Sequence, residues 1–134
     1  MLCGMLMNQS ELKDRVKQFA HRCIKLALSL PDSPLGRHVR SQLIKCSSSA
    51  AANYRAVCLA QSRAHFASKL SIVVEETDEC VFWLEFTVDE RLMPESKVRP
   101  LIDEDMELAA IFIASRKTVK NRKKEFVVAH INNQ

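Results

Sequence analysis

Apolar side chains recur every three or four positions along four separate stretches of this 134-residue chain, and the residues that bend a backbone are scarce, with two glycines and four prolines in all. A repeat near 3.6 lays apolar groups along one face of a helix, whereas a strand would alternate by two. The first stretch carries Leu12, Val16, Phe19, Cys23, Leu26 and Leu30. The second carries Leu35, Val39, Leu43, Cys46, Ala50, Asn53 and Val57, and the third Phe66, Leu70, Val73, Val74, Thr77, Val81, Leu84 and Val88. Val98, Leu101, Leu108, Ile111, Phe112, Ser115 and Val119 form the fourth.

The breaks between stretches are equally readable. Asn8 stands three residues before Glu11, the spacing of a capping box. Pro31-Asp32-Ser33-Pro34 ends the first helix and opens the second, with Asp32 or Ser33 as the cap. Ser62 can cap the third helix, and Pro94 can open the fourth, with Pro100 marking either its true start or a kink. Helices are therefore expected at about 9–30, 34–59, 62–89 and 95–123, in one domain spanning 1–134. Such short connections make neighbours antiparallel, so the expected fold is all-α, an up-and-down four-helix bundle. In the tail, 124–134, Phe126-Val127-Val128-Ala129 fits either a packed extension or a strand-like arm.

The composition narrows the class of protein. No run approaches the roughly 18 apolar residues of a membrane span, and Met1 to Met7 lacks the basic flank of a signal peptide. Five widely spaced cysteines, Cys3, Cys23, Cys46, Cys58 and Cys80, read as buried thiols in a reducing compartment, and the cytoplasm is expected.

Catalytic patterns are sparse. A di-metal carboxylate bundle needs a glutamate three residues before a histidine, but Gln18, Leu35, Ser62 and Val127 stand before His21, His38, His65 and His130. Neither Cys-x-x-Cys nor His-x-x-x-His occurs, so no metal and no cofactor is expected. Ser47-Ser48-Ser49 lies inside a helix without the glycines of a nucleophile elbow, and reads as a small-residue strip that lets a neighbouring helix approach. With only Gly4 and Gly36, no glycine-rich phosphate loop can form. A non-enzyme is expected.

Charge is unevenly distributed. Lys and Arg outnumber Asp and Glu nine to three over residues 1–60; the ratio turns to five against twelve over 61–110, then six against one over 111–134. Arg116, Lys117, Lys120, Arg122, Lys123 and Lys124 could grip phosphates, or could simply complement the negative end of their helix. Lys13, Arg15, Lys17, Arg22, Lys25, Arg37, Arg40 and Lys45 form a second basic population on the first two helices. Asn53 is placed toward the core, where its amide needs partners. Arg55 could pair with Glu75, Glu76 or Glu79 on the adjoining helix in a structural or assembly role.

Residues of the second and third helices also form a recognisable series: Gln42-Leu43, Ser49-Ala50-Ala51-Ala52-Asn53-Tyr54-Arg55-Ala56, Ser62, Phe66, Lys69-Leu70, Ile72, Glu75-Glu76, Asp78-Glu79 and Trp83-Leu84. From Leu12 to Lys123 the chain resembles the bacterial four helix bundle protein family, also called the 23S rRNA intervening-sequence protein family. Many members of that family carry Asn-Ile-Ala-Glu-Gly where this chain has Asn53-Tyr54-Arg55-Ala56-Val57, which makes it a variant branch. The resemblance implies an up-and-down bundle that assembles as a homopentamer. It also implies relatedness to the accessory protein of diversity-generating retroelements, which binds nucleic acid and a reverse transcriptase. The expected function is thus an oligomeric accessory that binds RNA or another nucleic acid through Arg37, Arg40, Lys45 and the run from Arg116 to Lys124, with a reverse transcriptase or ribonucleoprotein as partner. The rival expectation is a protein-interaction scaffold with no nucleic-acid role.

Overall fold

Each of the first three helices begins where a side-chain oxygen holds a backbone N–H that the helix itself leaves free. Asn8 accepts from the Glu11 N–H at 2.8 Å, Ser33 from Gly36 at 3.0 Å, and Ser62 from His65 at 3.1 Å. The structure, a computed structural model, describes residues 7–132, with side chains described through residue 121. The helices are α1 (Gln9–Leu28), α2 (Pro34–Cys58), α3 (Arg63–Asp89) and α4 (Glu95–Asn132). Between Asp32 and Ser33, the cap is Ser33. Pro100 neither starts nor breaks α4; it lies in the second turn, where the only backbone bond forgone is the one to the Ser96 carbonyl.

The ends are shaped by local chemistry. At the α1–α2 turn a Cβ on Gly36 would fall 1.9 Å from the Pro31 carbonyl oxygen, so the backbones can approach this closely only at glycine. At the end of α3, Arg91 takes a left-handed φ of 56°. Its N–H donates to the Val88 carbonyl and that of Leu92 to Thr87, both at 3.0 Å, which together make a Schellman motif.

Successive helices pack along their lengths, and α4 closes back onto α1 over a shorter stretch. That closure is reinforced by Arg15, whose Nε and Nη2 donate to the two carboxylate oxygens of Glu104 at 3.0 and 2.5 Å, while Glu107 lies 3.0 Å from Nη2. Inside, Phe19, Leu43, Leu70, Leu84, Leu108 and Phe112 are fully buried. Burying each such side chain contributes about 1.5–3 kcal/mol. The fold is the four-helix bundle that the apolar spacing predicts.

Two details of the sequence reading are corrected. On α2 the buried face passes through Tyr54, which packs at 5.2 Å between ring centroids on Phe112, rather than through Asn53. Asn53 is half-buried at the edge, and its amide donates to the carbonyl and the hydroxyl of Ser49 in its own helix. Helix α4 also does not stop at 123: residues 124–132 continue as helix, not as a strand-like arm. The physical reason is that nothing after Pro100 is a glycine or proline, while arginine, lysine, glutamate and alanine are good helix formers.

Candidate nucleic-acid interface

Cations gather at one end of the bundle. Gln9 at the start of α1, Ala60 to Arg63 at the α2–α3 turn, Phe66, and Val119 of α4 line a shallow depression there of about 440 Å³. Arg63 and Arg55 flank the turn and are exposed, and Lys117 and Lys120 are exposed on α4 at the level of Val119. Lys13 belongs to the same end: burial pushes the Cys58 thiol up, and the Lys13 charge works against it from close by. Glu11 is the acidic member of the first turn of α1. Among the ion pairs between described side chains, none holds Lys13, Arg55, Arg63, Lys117 or Lys120. The N-termini of α1 and α3 and the C-terminus of α2 meet here, so helix poles of both signs are present and the positive charge of this end comes from its side chains. From Val119, α4 runs on to Asn132, roughly 20 Å of further helix at 1.5 Å per residue.

The other residues singled out in the sequence are dispersed. Arg37 is exposed and paired with Asp32 at 3.0 Å. Arg40 is half-buried and donates to the carbonyls of Ala27 and Leu30 at 3.3 and 2.9 Å, so that it caps the end of α1 rather than facing solvent for a phosphate. Lys45 is exposed midway along α2, and Arg116 is half-buried. Arg122, Lys123 and Lys124 lie beyond the described side chains, on the helical backbone.

Within the chain Arg55 makes no ion pair with Glu75, Glu76 or Glu79. Antiparallel packing sets Cys46 against Cys80, sulfur to sulfur at 3.1 Å, which places Arg55 level with a residue roughly nine positions before Cys80, near Ser71. Glu75 is exposed, and Glu76 and Glu79 are half-buried. No group of three or more histidine, cysteine or acidic side chains able to hold a metal ion occurs among the described residues. No helix among them is long and apolar enough to cross a membrane.

Arg63 has no part in the sequence reading, and Asp105 enters it only among the acids, with Glu95, Asp103 and Glu104, that suit the positive start of the fourth helix. Arg63 was hidden behind the Ser62 cap, although its place in the first turn puts it at the bundle end by necessity. Asp105 is fully buried, with neither carboxylate oxygen hydrogen-bonded in the protein. The signal was its position in the series Leu101, Asp105, Leu108, Phe112, where an acid interrupts an otherwise apolar stripe.

Comparison with solved structures finds the same fold in a protein of unknown function from the S23 ribosomal protein family of Bacteroides thetaiotaomicron. It is 27% identical, with a TM-score of 0.76 over 83% of this chain and 99% of that one. Comparison with curated proteins gives no match. A family model described as 23S rRNA-intervening sequence protein matches residues 8–114, which takes in α1 to α3, most of the bundled part of α4 and the Arg63 corner, and ends before Arg116. With that much of its length matched, and the bundle shared, the chain belongs to the 23S rRNA-intervening sequence protein family.

Proposed function

We propose that the protein is a non-enzymatic, oligomeric bundle that binds RNA or another nucleic acid through its basic end, as an accessory to a larger ribonucleoprotein activity. One observation carries the reading: Lys13, Arg55, Arg63, Lys117 and Lys120 converge there from all four helices, outside any ion pair with a described side chain. Cations so placed neutralise phosphates and release counterions, which yields affinity that falls steeply with salt. Arg122, Lys123 and Lys124 follow on the same helix and lengthen the basic array along the chain. Membership of a family described by a ribosomal RNA intervening sequence supports RNA as the polymer. Five subunits, and a reverse transcriptase as partner, come from the family resemblance alone.

Titration with a structured RNA at about 50 and about 200 mM salt tests the proposal, with an expected loss of roughly tenfold or more in affinity between the two. Binding absent at the lower salt, or indifferent to salt, contradicts it. Exposed apolar side chains, Phe82 at 53% and Leu59 at 72%, favour a second reading as a protein-interaction scaffold. Reversing Lys117, Lys120, Lys123 and Lys124 to glutamate separates the two: lost RNA binding with assembly intact supports the first, lost assembly the second.

A further inference from the structure

Opposite sides of the bundle carry opposite charge. On α1 the side chains turned farthest from the buried stripe are Asp14, Lys17, His21, Lys25 and Leu28, all exposed, Leu28 at 65%. Diagonally across the bundle, α3 exposes Glu75, Asp78 and Glu85. None of Lys17, Lys25, Glu75, Asp78 and Glu85 enters an ion pair between described side chains, and Arg99, which stands near Glu85, is held by Glu95.

The three acids rim a groove of about 500 Å³ between α3 and α4, which runs from Val74 to Glu85, roughly 16 Å at 1.5 Å per residue. Val74, Val81, Met106 and Ile113 line it, and Met106 at 59% and Ile113 at 36% stay open to solvent. Apolar surface left bare among charges of one sign suits a helix that presents charges of the other. The outer face of α1 is such a helix: Lys17 and Leu28 stand the same roughly 16 Å apart.

We propose that this groove is the seat of a second copy of the chain, whose α1 lays Lys17, His21, Lys25 and Leu28 along it. The contact deepens the oligomeric part of the functional reading and rests on it; it does not involve the basic end. Because the two faces differ, every copy offers one and accepts the other, so the contact repeats beyond a pair and closes wherever its rotation allows.

The heights of the residues agree with this. Helices α1 and α3 both start at the basic end and run the same way. Across the core Cys23 acts on the Cys80 thiol, which sets those two residues at about one height. Counted from there, Lys17 is level with Val74 and next to Glu75, and His21 is level with Asp78. Lys25 is level with Phe82, within one turn of Glu85, and half-buried Ile24 is level with Val81. Asp14, the acid of the α1 face, falls level with Ser71, short of the groove. Copies related by rotation about an axis along the bundle stand at equal height, so these are the residues that meet.

Sedimentation velocity of the full chain at physiological salt tests the contact with two surface variants, Lys17→Glu with Lys25→Glu, and Asp78→Lys with Glu85→Lys. All four positions are exposed, so the fold should survive, as circular dichroism will show. Each variant alone should associate about a hundredfold or more weakly than the unaltered protein, since like charges then face each other. An equimolar mixture of the two, and a chain carrying all four changes, should associate again, because opposite charges are restored across the contact. Undiminished assembly of both variants would overturn this contact while leaving the oligomeric reading in place, and so would a loss that neither the mixture nor the fourfold variant repairs. An unaltered protein that stays monomeric at high concentration would overturn both.

Discussion

Arg40 on α2 donates from Nη2 to the carbonyl of Leu30 at 2.9 Å, and so satisfies the end of the preceding helix with a charge opposite to its negative pole. Loss of that contact in Arg40→Ala should destabilise the bundle by about 1–2 kcal/mol in urea unfolding. RNA affinity should stay within about twofold at a fixed salt concentration, since the guanidinium faces α1. A large loss of affinity with unchanged stability would show that Arg40 contacts phosphate after all.

Arg91 occupies a left-handed conformation that costs a side chain about 1 kcal/mol and costs glycine little. Arg91→Gly should therefore raise the urea midpoint, because the two Schellman hydrogen bonds use only backbone atoms. A lowered midpoint would mean that the arginine side chain contributes more than its backbone strain removes.

The neighbours Asn53 and Tyr54 should behave oppositely. Tyr54→Ala empties a buried position against Phe112 and should cost about 3 kcal/mol or more. Asn53→Ala removes bonds made within its own helix and should cost less than about 1 kcal/mol. Equal costs in chemical denaturation would contradict the assignment of the buried face.

That pair also marks how far the sequence could be read. Steps of three and four give the helices, their caps and the residues at the middle of each face, because burial there is insensitive to small rotations. At the edge of a face one residue is worth about 100° of rotation, and the choice between Asn53 and Tyr54 is settled by Phe112 on another helix. The basic end was half-visible in the same way: Lys117 and Lys120 stand out in a run, whereas Lys13, Arg55 and Arg63 join them only through packing. Arg40 could not be told from a free cation, since its role depends on carbonyls ten and thirteen residues away.

Asp105 makes stability depend on pH. Its folded-state value, up to about 8, lies above the roughly 3.9 of an unfolded aspartate, so between these limits the folded state holds more protons than the unfolded one. As far as this group is concerned the protein should therefore be most stable at and below about pH 4, and should lose stability as pH rises toward 8, by on the order of a few kcal/mol. Asp105→Asn should flatten that slope in urea unfolding series at several pH values. A slope unchanged by the substitution would show that other groups set it.

Whether one end of the bundle meets the nucleic acid is measured directly by lysine footprinting. Acetylation of the protein with and without a structured RNA, followed by mass spectrometry, should show protection of Lys13, Lys117 and Lys120, with Lys97 at the opposite end of the bundle modified equally in both. Protection concentrated at Lys97, or spread evenly over all lysines, would contradict binding at the basic end.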